Sequence, residues 1–166
     1  VGSEMCIRDR YINGTDIFAM NDDELAIFRR RQVGIIYQFY NLIPILNVEE
    51  NMAIPMELDG RKVEKAQMDD MLLRLGLTER RTHLPNELSG GQQQRTSIGR
   101  ALITRPSIVL ADEPTGNLDT KASNEIMHLL KTSNRELNQT IIMITHNMEL
   151  AKAADRTIMI EDGKIR

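Results

Sequence analysis

The spacing of apolar residues switches between helix and strand periods along the second half of the chain. Within 62–75, four apolar residues follow the i, i+3, i+4, i+7 spacing of one helix face: Met68, Met71, Leu72 and Leu75. Similar spacing predicts helices from 89 to about 104 and over 121–137. Continuous apolar runs at 108–111 and 141–144 are typical of strands buried on both faces of a parallel sheet. This alternation predicts an α/β fold built on a mostly parallel sheet.

The first half of the chain carries weaker signals. An Asn-Gly pair inside 11–17 predicts a hairpin turn, and Asn21 followed by an acid three residues later predicts a helix start. The β-branched run at 33–37 predicts a strand. Prolines and a glycine in 41–60 predict an irregular segment, and an Asp-Gly pair within 157–165 predicts a terminal hairpin.

Composition limits the class of protein. The 166 residues are 41% hydrophobic and 27% charged, with a formal net charge of −3 and a pI near 5.7. This balance is typical of a globular domain, and it argues against nucleic acid as a partner because nucleic-acid binders usually carry a net basic surface. The apolar runs are too short to span a bilayer, and the single cysteine, Cys6, cannot form an internal disulfide. We therefore expect an intracellular globular protein.

The sharpest chemical signal is Ser89-Gly90-Gly91-Gln92. A serine and two glycines at a helix start expose a hydroxyl and several backbone N–H groups, and the helix dipole adds positive potential. This arrangement suits an anion such as a terminal phosphate. An ordinary helix cap with a flexible entry is the alternative for these residues taken alone.

Acidic, imidazole and amide side chains follow the predicted strands. Asp112 and Glu113 end one strand, where they could orient Mg²⁺ and polarise a water for attack on a phosphate. The alternative is a pair of acids that simply reach solvent. His146 follows the next strand and could contact a phosphate or the water, or be structural. Gln38 follows the strand at 33–37 and could be a ligand to metal or water, or a surface amide.

The order of these features resembles the ATP-binding cassette (ABC) ATPase family. Gln38 matches the family's Q-loop, Leu88–Gln92 its signature, and Ile108–Glu113 its Walker B strand. Gly116–Asp119 is similar to the D-loop and His146 to the switch histidine. The resemblance extends over Tyr11–Arg166, and it implies a P-loop NTPase-like α/β fold with a helical subdomain at about 41–104.

The resemblance also implies roles for these residues and the partners of the protein. Glu113 and His146 would be catalytic, and Gln38 and Asp112 would hold Mg²⁺. The residues expected to bind ATP are Ser89, Gly90, Gly91, Gln92 and Asp119. The family works as a dimer with ATP between protomers, so we expect a second ATPase protomer, a membrane permease subunit and a peripheral location on the cytoplasmic face of the inner membrane. The sequences of Gln38–Pro44 and Asp112–Asp119 together are similar to the lipoprotein-releasing and macrolide-exporter type.

One family motif is missing from the 166 residues. No Gly-x-x-x-x-Gly-Lys-Ser/Thr phosphate loop is present, and residues 1–10 do not match the family where that segment would precede them. We expect 1–10 to be a non-native junction and 11–166 to be a partial ABC ATPase domain that is inactive alone. Loss of the strand that carries the loop would leave a hole in the sheet and exposed edges.

Two other functions remain open from the residues. A non-transport ABC ATPase of DNA repair or ribosomes is one, although repair types insert a long coiled coil or zinc module between Gln38 and Ser89, where this chain has 50 residues. A non-catalytic interaction subunit is the other, and the intact Glu113 argues against it. Met52, Met56 and Leu58 are expected either to meet the membrane subunit or to pack inside the helical region.

Overall fold

The computed structural model describes residues 11–166, so the predicted junction at 1–10 lies outside the described residues. The helices are α1 (Asp22–Gln32), α2 (Val48–Glu57), α3 (Lys65–Arg74), α4 (Gly90–Leu102), α5 (Thr120–Glu136) and α6 (Met148–Ala151). The strands are β1 (Tyr11–Ile12), β2 (Thr15–Asp16), β3 (Val33–Ile36), β4 (Ile108–Asp112), β5 (Thr140–Ile144), β6 (Ile160–Glu161) and β7 (Lys164–Ile165). None of the helices in this described part is long and apolar enough to cross a membrane.

The central sheet is parallel and contiguous. Its order is β3-β4-β5, with Val33 opposite Ile108 and Ile108 opposite Thr140. The predicted α/β class is confirmed, and both predicted hairpins form, as β1-β2 and β6-β7. The predicted hole is wrong for residues 11–166, because β4 bonds directly to both of its neighbours along its length.

The strands are not buried on both faces, contrary to the expectation from their apolar runs. Successive side chains of a strand point to opposite faces of the sheet. Val109 and Ala111 are buried, whereas Leu110 between them is partly exposed and Ile142 and Ile144 on β5 are exposed. Within residues 11–166, one face of the sheet is therefore packed against the core and the other is accessible.

The helix α2 overturns the prediction that 41–60 is irregular. Asn47 caps α2 with a complete capping box, in which its side chain and that of Glu50 each accept a backbone N–H bond from the other residue. Pro55 lies inside the helix and removes one backbone donor. Burial of the α2 face that includes Met52 and Met56 offsets that loss. Both methionines therefore pack in the core and are not surface contact residues, whereas Leu58 is exposed.

Helix α4 connects the helical region to the sheet. It packs against both α2 and β3, and its apolar residues Ile98 and Leu102 are buried. The approach to β3 is close enough that a Cβ on Gly34 would lie 2.5 Å from the Ala101 carbonyl oxygen. Residues 41–104 contain α2, α3 and α4, while their separation as a subdomain stays a prediction.

Candidate functional site

Three parallel strands deliver the predicted polar residues to one edge of the sheet. The register pairs Ile36 with Ala111 and Asp112 with Ile144, so the carboxyl ends of β3, β4 and β5 lie side by side. Gln38, Glu113 and His146 each follow within two residues of those strand ends. In open α/β sheets this edge is where ligands bind. We call Gln38, Asp112, Glu113 and His146 the sheet edge.

The carboxylate of Glu113 is held by three donors from the segment after β5. Its Oε1 accepts from the His146 backbone N–H at 2.7 Å and from His146 Nδ1 at 2.7 Å. Its Oε2 accepts from the Thr145 hydroxyl at 3.1 Å. A carboxylate only accepts, so the ring contact requires the proton on Nδ1. The side chain of Glu113 is 17% exposed and that of His146 is 84% exposed, which leaves the imidazole open to a ligand.

The ionisation of Glu113 reflects two opposed effects. Burial raises the pKa of this carboxyl, but the hydrogen bonds from the His146 backbone, the His146 ring and the Thr145 hydroxyl outweigh it. The net result is a pKa lowered below the ordinary value for glutamate. Glu113 is therefore a carboxylate at neutral pH, in the state needed to accept a proton.

The backbone at Glu113 is also unusual. Its φ is +43°, in the left-handed region where a non-glycine residue costs on the order of 1–3 kcal/mol. The Glu113 N–H donates to the Ile144 carbonyl oxygen at 2.9 Å and so ties the residue to the end of β5. The turn directs this carboxylate toward His146 instead of continuing the strand.

A second network joins the end of β3 to the segment after β4. The Gln38 amide nitrogen donates to Asn117 Oδ1 at 3.4 Å, and Asn117 Nδ2 donates to the Gln38 carbonyl oxygen at 3.0 Å. A Cβ on Gly116 would lie 2.7 Å from Gln38 Nε2, so the glycine permits this close contact. Asn117 was not among the predicted site residues, although it lies within the segment that matches the D-loop.

The signature residues form the start of α4, as predicted. The Gln92 N–H donates to Ser89 Oγ at 3.3 Å, and the Ser89 N–H donates to Gln92 Oε1 at 2.9 Å. A Cβ on Gly90 would lie 2.9 Å from the Tyr40 hydroxyl, and one on Gly91 would lie 3.4 Å from the Cβ of Ala122. We call Ser89–Gln92 the signature start.

Asp119 lies next to the signature start in a capping position. Its side chain accepts the Ala122 N–H at 2.7 Å and caps α5. Because Gly91 faces Ala122, the starts of α4 and α5 are neighbours. Among the hydrogen bonds within residues 11–166, none joins the signature start to Glu113 or His146. The predicted site residues therefore form two groups in one chain.

Two residues that sequence analysis did not single out join α4 to the loops beside the sheet edge. Gln94 is buried in α4 and donates from Nε2 to the Pro114 carbonyl oxygen at 2.7 Å. Arg100, also on α4, donates to the carbonyl oxygens of Tyr40 at 2.9 Å and Asn41 at 2.5 Å. Gln94 stands in a run of three glutamines, and nothing in the spacing of apolar residues distinguishes it from its neighbours.

A parallel sheet whose strand ends carry adjacent carboxylates, together with a glycine-rich helix start, is typical of a nucleotide-binding α/β protein. The family model described as ABC transporter matches residues 5–116. The chain belongs to this ABC transporter family, as an ATP-binding subunit. The predicted family, P-loop NTPase-like fold and ATPase class are confirmed by this match and by the similar proteins and structures.

Curated relatives include ATP-binding subunits of several bacterial systems. The chain is 46% identical to the ABC transporter ATP-binding protein YtrE of Bacillus subtilis, over 93% of this chain and 68% of that protein. It is 44% identical to the lipoprotein-releasing system ATP-binding protein LolD of Cytophaga hutchinsonii, over 93% of this chain and 71% of that protein. The chain thus spans about two thirds of the length of these relatives.

A similar solved structure is the dimeric post-hydrolysis state of the ATP-binding cassette MJ0796 bound to ADP and Pi. The TM-score is 0.80 at 38% sequence identity, with 93% of this chain and 69% of that chain covered. A second dimeric structure of the same bacterial cassette gives a TM-score of 0.78 at 39% identity.

Proposed function

We propose that two copies of this protein enclose ATP between them, each presenting its sheet edge to one nucleotide and its signature start to the other. The observation that supports this most directly is that the Glu113 network and the Ser89 cap are both well formed yet share no hydrogen bond. A single-chain site would bring them to one point. The dimeric cassette with ADP and Pi adds support, since it is similar over nearly the whole chain.

At the sheet edge, Glu113 would accept the proton of the attacking water. Its lowered pKa keeps it ionised, and its three donors hold the carboxylate in one orientation. The exposed His146 ring would contact the terminal phosphate or the same water. Asp112 and Gln38 offer the carboxylate and amide oxygens that Mg²⁺ prefers, and they lie at or just after the ends of neighbouring strands. Mg²⁺ bound there would neutralise phosphate charge.

The signature start would bind the terminal phosphate of the partner's ATP. The first turns of α1 and α2 contain acids, namely Asp22, Asp23 and Glu24 in α1 and Glu49 and Glu50 in α2. The first turns of α3, α4 and α5 contain none, but α3 and α5 begin after the acidic N-cap residues Glu64 and Asp119, whereas the N-cap of α4 is the uncharged Ser89. Acids at a helix start compensate its positive potential, so α4 is the helix whose N-terminal N–H groups suit an external anion. Asp119, which caps α5 beside Gly91, would contact the same nucleotide.

The membrane-facing role also belongs to this proposal. Phe39 and Ile45, which follow Gln38, and Leu58 after α2 are exposed apolar side chains. Contiguous patches of exposed apolar side chains mark protein–protein contacts, and we propose that these three side chains contribute to one. We assign them to a permease subunit, with the ATPase attached to the cytoplasmic face of the inner membrane and the complex acting in export or lipoprotein release. The names of the curated relatives support that assignment.

The test uses a chain that contains a phosphate loop, since the 166 residues contain no such motif. Joining residues 11–166 to the phosphate-loop segment of a curated relative provides this extended chain. In it, Glu113→Gln should lower phosphate release by about 10²–10⁴-fold, the usual contribution of a general base. ATP binding and ATP-driven dimerisation should persist, because the amide keeps the side-chain shape.

Glu64→Gln is the matched control, since Glu64 is an exposed glutamate whose side chain makes no capping bond. It should hydrolyse ATP at the unchanged rate. Normal turnover in the Glu113→Gln protein would show that Glu113 is not the general base and would contradict the proposal.

A further inference from the structure

Gln94 is a fully buried polar side chain in the second turn of α4. Its amide nitrogen donates to the Pro114 carbonyl oxygen at 2.7 Å and lies 3.4 Å from the Tyr37 carbonyl oxygen. The adjacent Gln93 is partly exposed and donates to the Leu88 carbonyl oxygen, at the start of its own helix. The two glutamines thus have the same chemistry but different partners. Gln93 bonds to the residue just before the N-cap of its own helix, and Gln94 bonds to two distant loops.

Packing alone does not account for the amide of Gln94. Burial of an amide is unfavourable unless its donors and acceptor are bonded. Within the described residues, the Gln94 Oε1 atom is buried and has no hydrogen-bond partner. An apolar side chain of the same length would fill this space without that penalty. A buried polar group that is only partly bonded calls for an explanation, and the two carbonyl groups it meets provide one.

Both carbonyl groups belong to residues beside the sheet edge. Tyr37 immediately precedes Gln38, and Pro114 immediately follows Glu113. Arg100, the other side chain of α4 that reaches a loop of the site, bonds to Tyr40 and Asn41. Within residues 11–166, Gln94 is therefore the α4 side chain that bonds to the segment carrying Glu113.

We infer that Gln94 is a positioning residue that couples the signature start to Glu113 of the same protomer. Ser89 and Gln94 are five residues apart on a rigid helix, a rise of about 7.5 Å, so a shift of the signature start carries the Gln94 amide with it. The amide then moves the Pro114 carbonyl and the turn at Glu113. Nucleotide bound at the signature start of one copy would in this way set the catalytic carboxylate of that same copy, which acts on the other nucleotide. This inference rests on the proposed function.

The test compares Gln94→Met with Gln93→Met in the extended chain that contains a phosphate loop. Methionine keeps the length of the glutamine side chain and removes the amide. Gln94→Met should lower kcat by roughly 10–100-fold with KM nearly unchanged, because the carboxylate is displaced while nucleotide contacts are kept. Gln93→Met should leave kcat unchanged. Equal kcat for both variants and the unsubstituted protein would overturn the inference.

A second comparison separates positioning from general loss of structure. In the Glu113→Gln background, Gln94→Met should change the remaining turnover by less than about twofold, since the group that it positions is already gone. The same fold-loss of turnover in both backgrounds would show that Gln94 acts independently of Glu113 and would overturn the inference.

Thermal unfolding checks that each variant is folded. If Gln94→Met does not fold, Gln94→Leu replaces it. If neither folds, Gln94 is a structural residue and the inference is wrong.

These results are distinguishable from failure of the proposed function. The proposed function fails if Glu113→Gln hydrolyses ATP normally. The inference fails separately if Glu113→Gln is inactive while Gln94→Met keeps full activity. It also fails if Gln94→Met raises KM and leaves kcat unchanged.

Discussion

The sheet edge and the signature start are built in different ways. At the sheet edge, Glu113 depends on His146 and Thr145, which are more than thirty residues away in sequence. At the signature start, the Ser89 and Gln92 bonds close within three residues. One group is a network between strands, and the other is a self-contained helix cap.

This difference separates the expected effects of substitution. A change at the signature start should leave the local fold intact and act through the ligand or the partner. A change at the sheet edge should alter the geometry of the other members of the network, because each holds the next. The predictions below use this contrast, and all of them refer to the extended chain that contains a phosphate loop.

The largest effect is expected at the signature start. Ser89→Arg should reduce phosphate release to background and prevent ATP-driven dimerisation, because a bulky side chain would occupy the position of the partner's phosphate. The 166-residue chain, which contains no phosphate-loop motif, defines the background. Ser89→Thr is the control, since it keeps the capping hydroxyl and should remain active. A dimer of unchanged affinity in Ser89→Arg would contradict the two-copy arrangement.

A smaller effect is expected from His146→Ala at the sheet edge. Turnover should fall by roughly 10–100-fold, less than for Glu113→Gln, because the backbone N–H of residue 146 and the Thr145 hydroxyl still hold the carboxylate. His128→Ala, at an exposed position of α5, should be neutral in the same phosphate-release assay. An identical loss in both histidine variants would mean that the His146 contact to Glu113 has no specific role.

Gly34→Ala tests the contact that holds α4 against the sheet. The added Cβ would meet the Ala101 carbonyl oxygen, a backbone atom that cannot turn away, so the free energy of unfolding should fall by about 1–3 kcal/mol. Urea unfolding measures this change. Ile35→Val, at the next and partly exposed position, should cost less than about 0.5 kcal/mol. Equal stability of the two variants would show that β3 and α4 separate without penalty.

The smallest effect concerns the ion pairs between α1 and the end of α2. The hydrogen bond from Arg31 lowers the pKa of Asp59 below its ordinary value, against the opposing effect of burial and with help from the charges of Arg61 and Arg30. A carboxyl whose pKa is lowered by folding stabilises the folded protein at pH values above its pKa in the unfolded chain, near 3.9. This contribution to the free energy of unfolding is lost as the pH falls through the pKa of the folded protein.

Asp59→Asn should therefore be less stable than the unsubstituted protein at pH 7, and the difference in urea midpoint should narrow below about pH 4. Asp155→Asn, at an exposed position, is the control in the same urea measurements. If the difference in urea midpoint between Asp59→Asn and the unsubstituted protein is the same at every pH, the effect comes from packing and not from ionisation of Asp59.

Local signals predicted most elements, and one was misread. The Asn13-Gly14 turn forms with positive φ at both residues, and Gly76 ends the α3 region at φ +63°. The spacing Asn47-x-x-Glu50 is a capping box of the same kind as at Asn21, so α2 was detectable from sequence. Pro55 hid it, because a proline within a helix is usually a breaker, and the burial that offsets its effect is a tertiary contact.

The roles of the candidate site residues stay predictions from sequence. Sequence alone did predict the starts of α1 and α4 and the first hairpin turn, because a cap or a tight turn needs contacts within only three or four residues. Only the tertiary structure showed that Ile142 and Ile144 lie on the exposed face of the sheet and that β3 pairs directly with β4. It also showed the hydrogen bond from Gln94 to the Pro114 carbonyl oxygen. These properties depend on residues that are far apart along the chain, so no local pattern encodes them. The amide of Gln94 acquires its role from the two loops it meets, and an identical glutamine one position earlier does not.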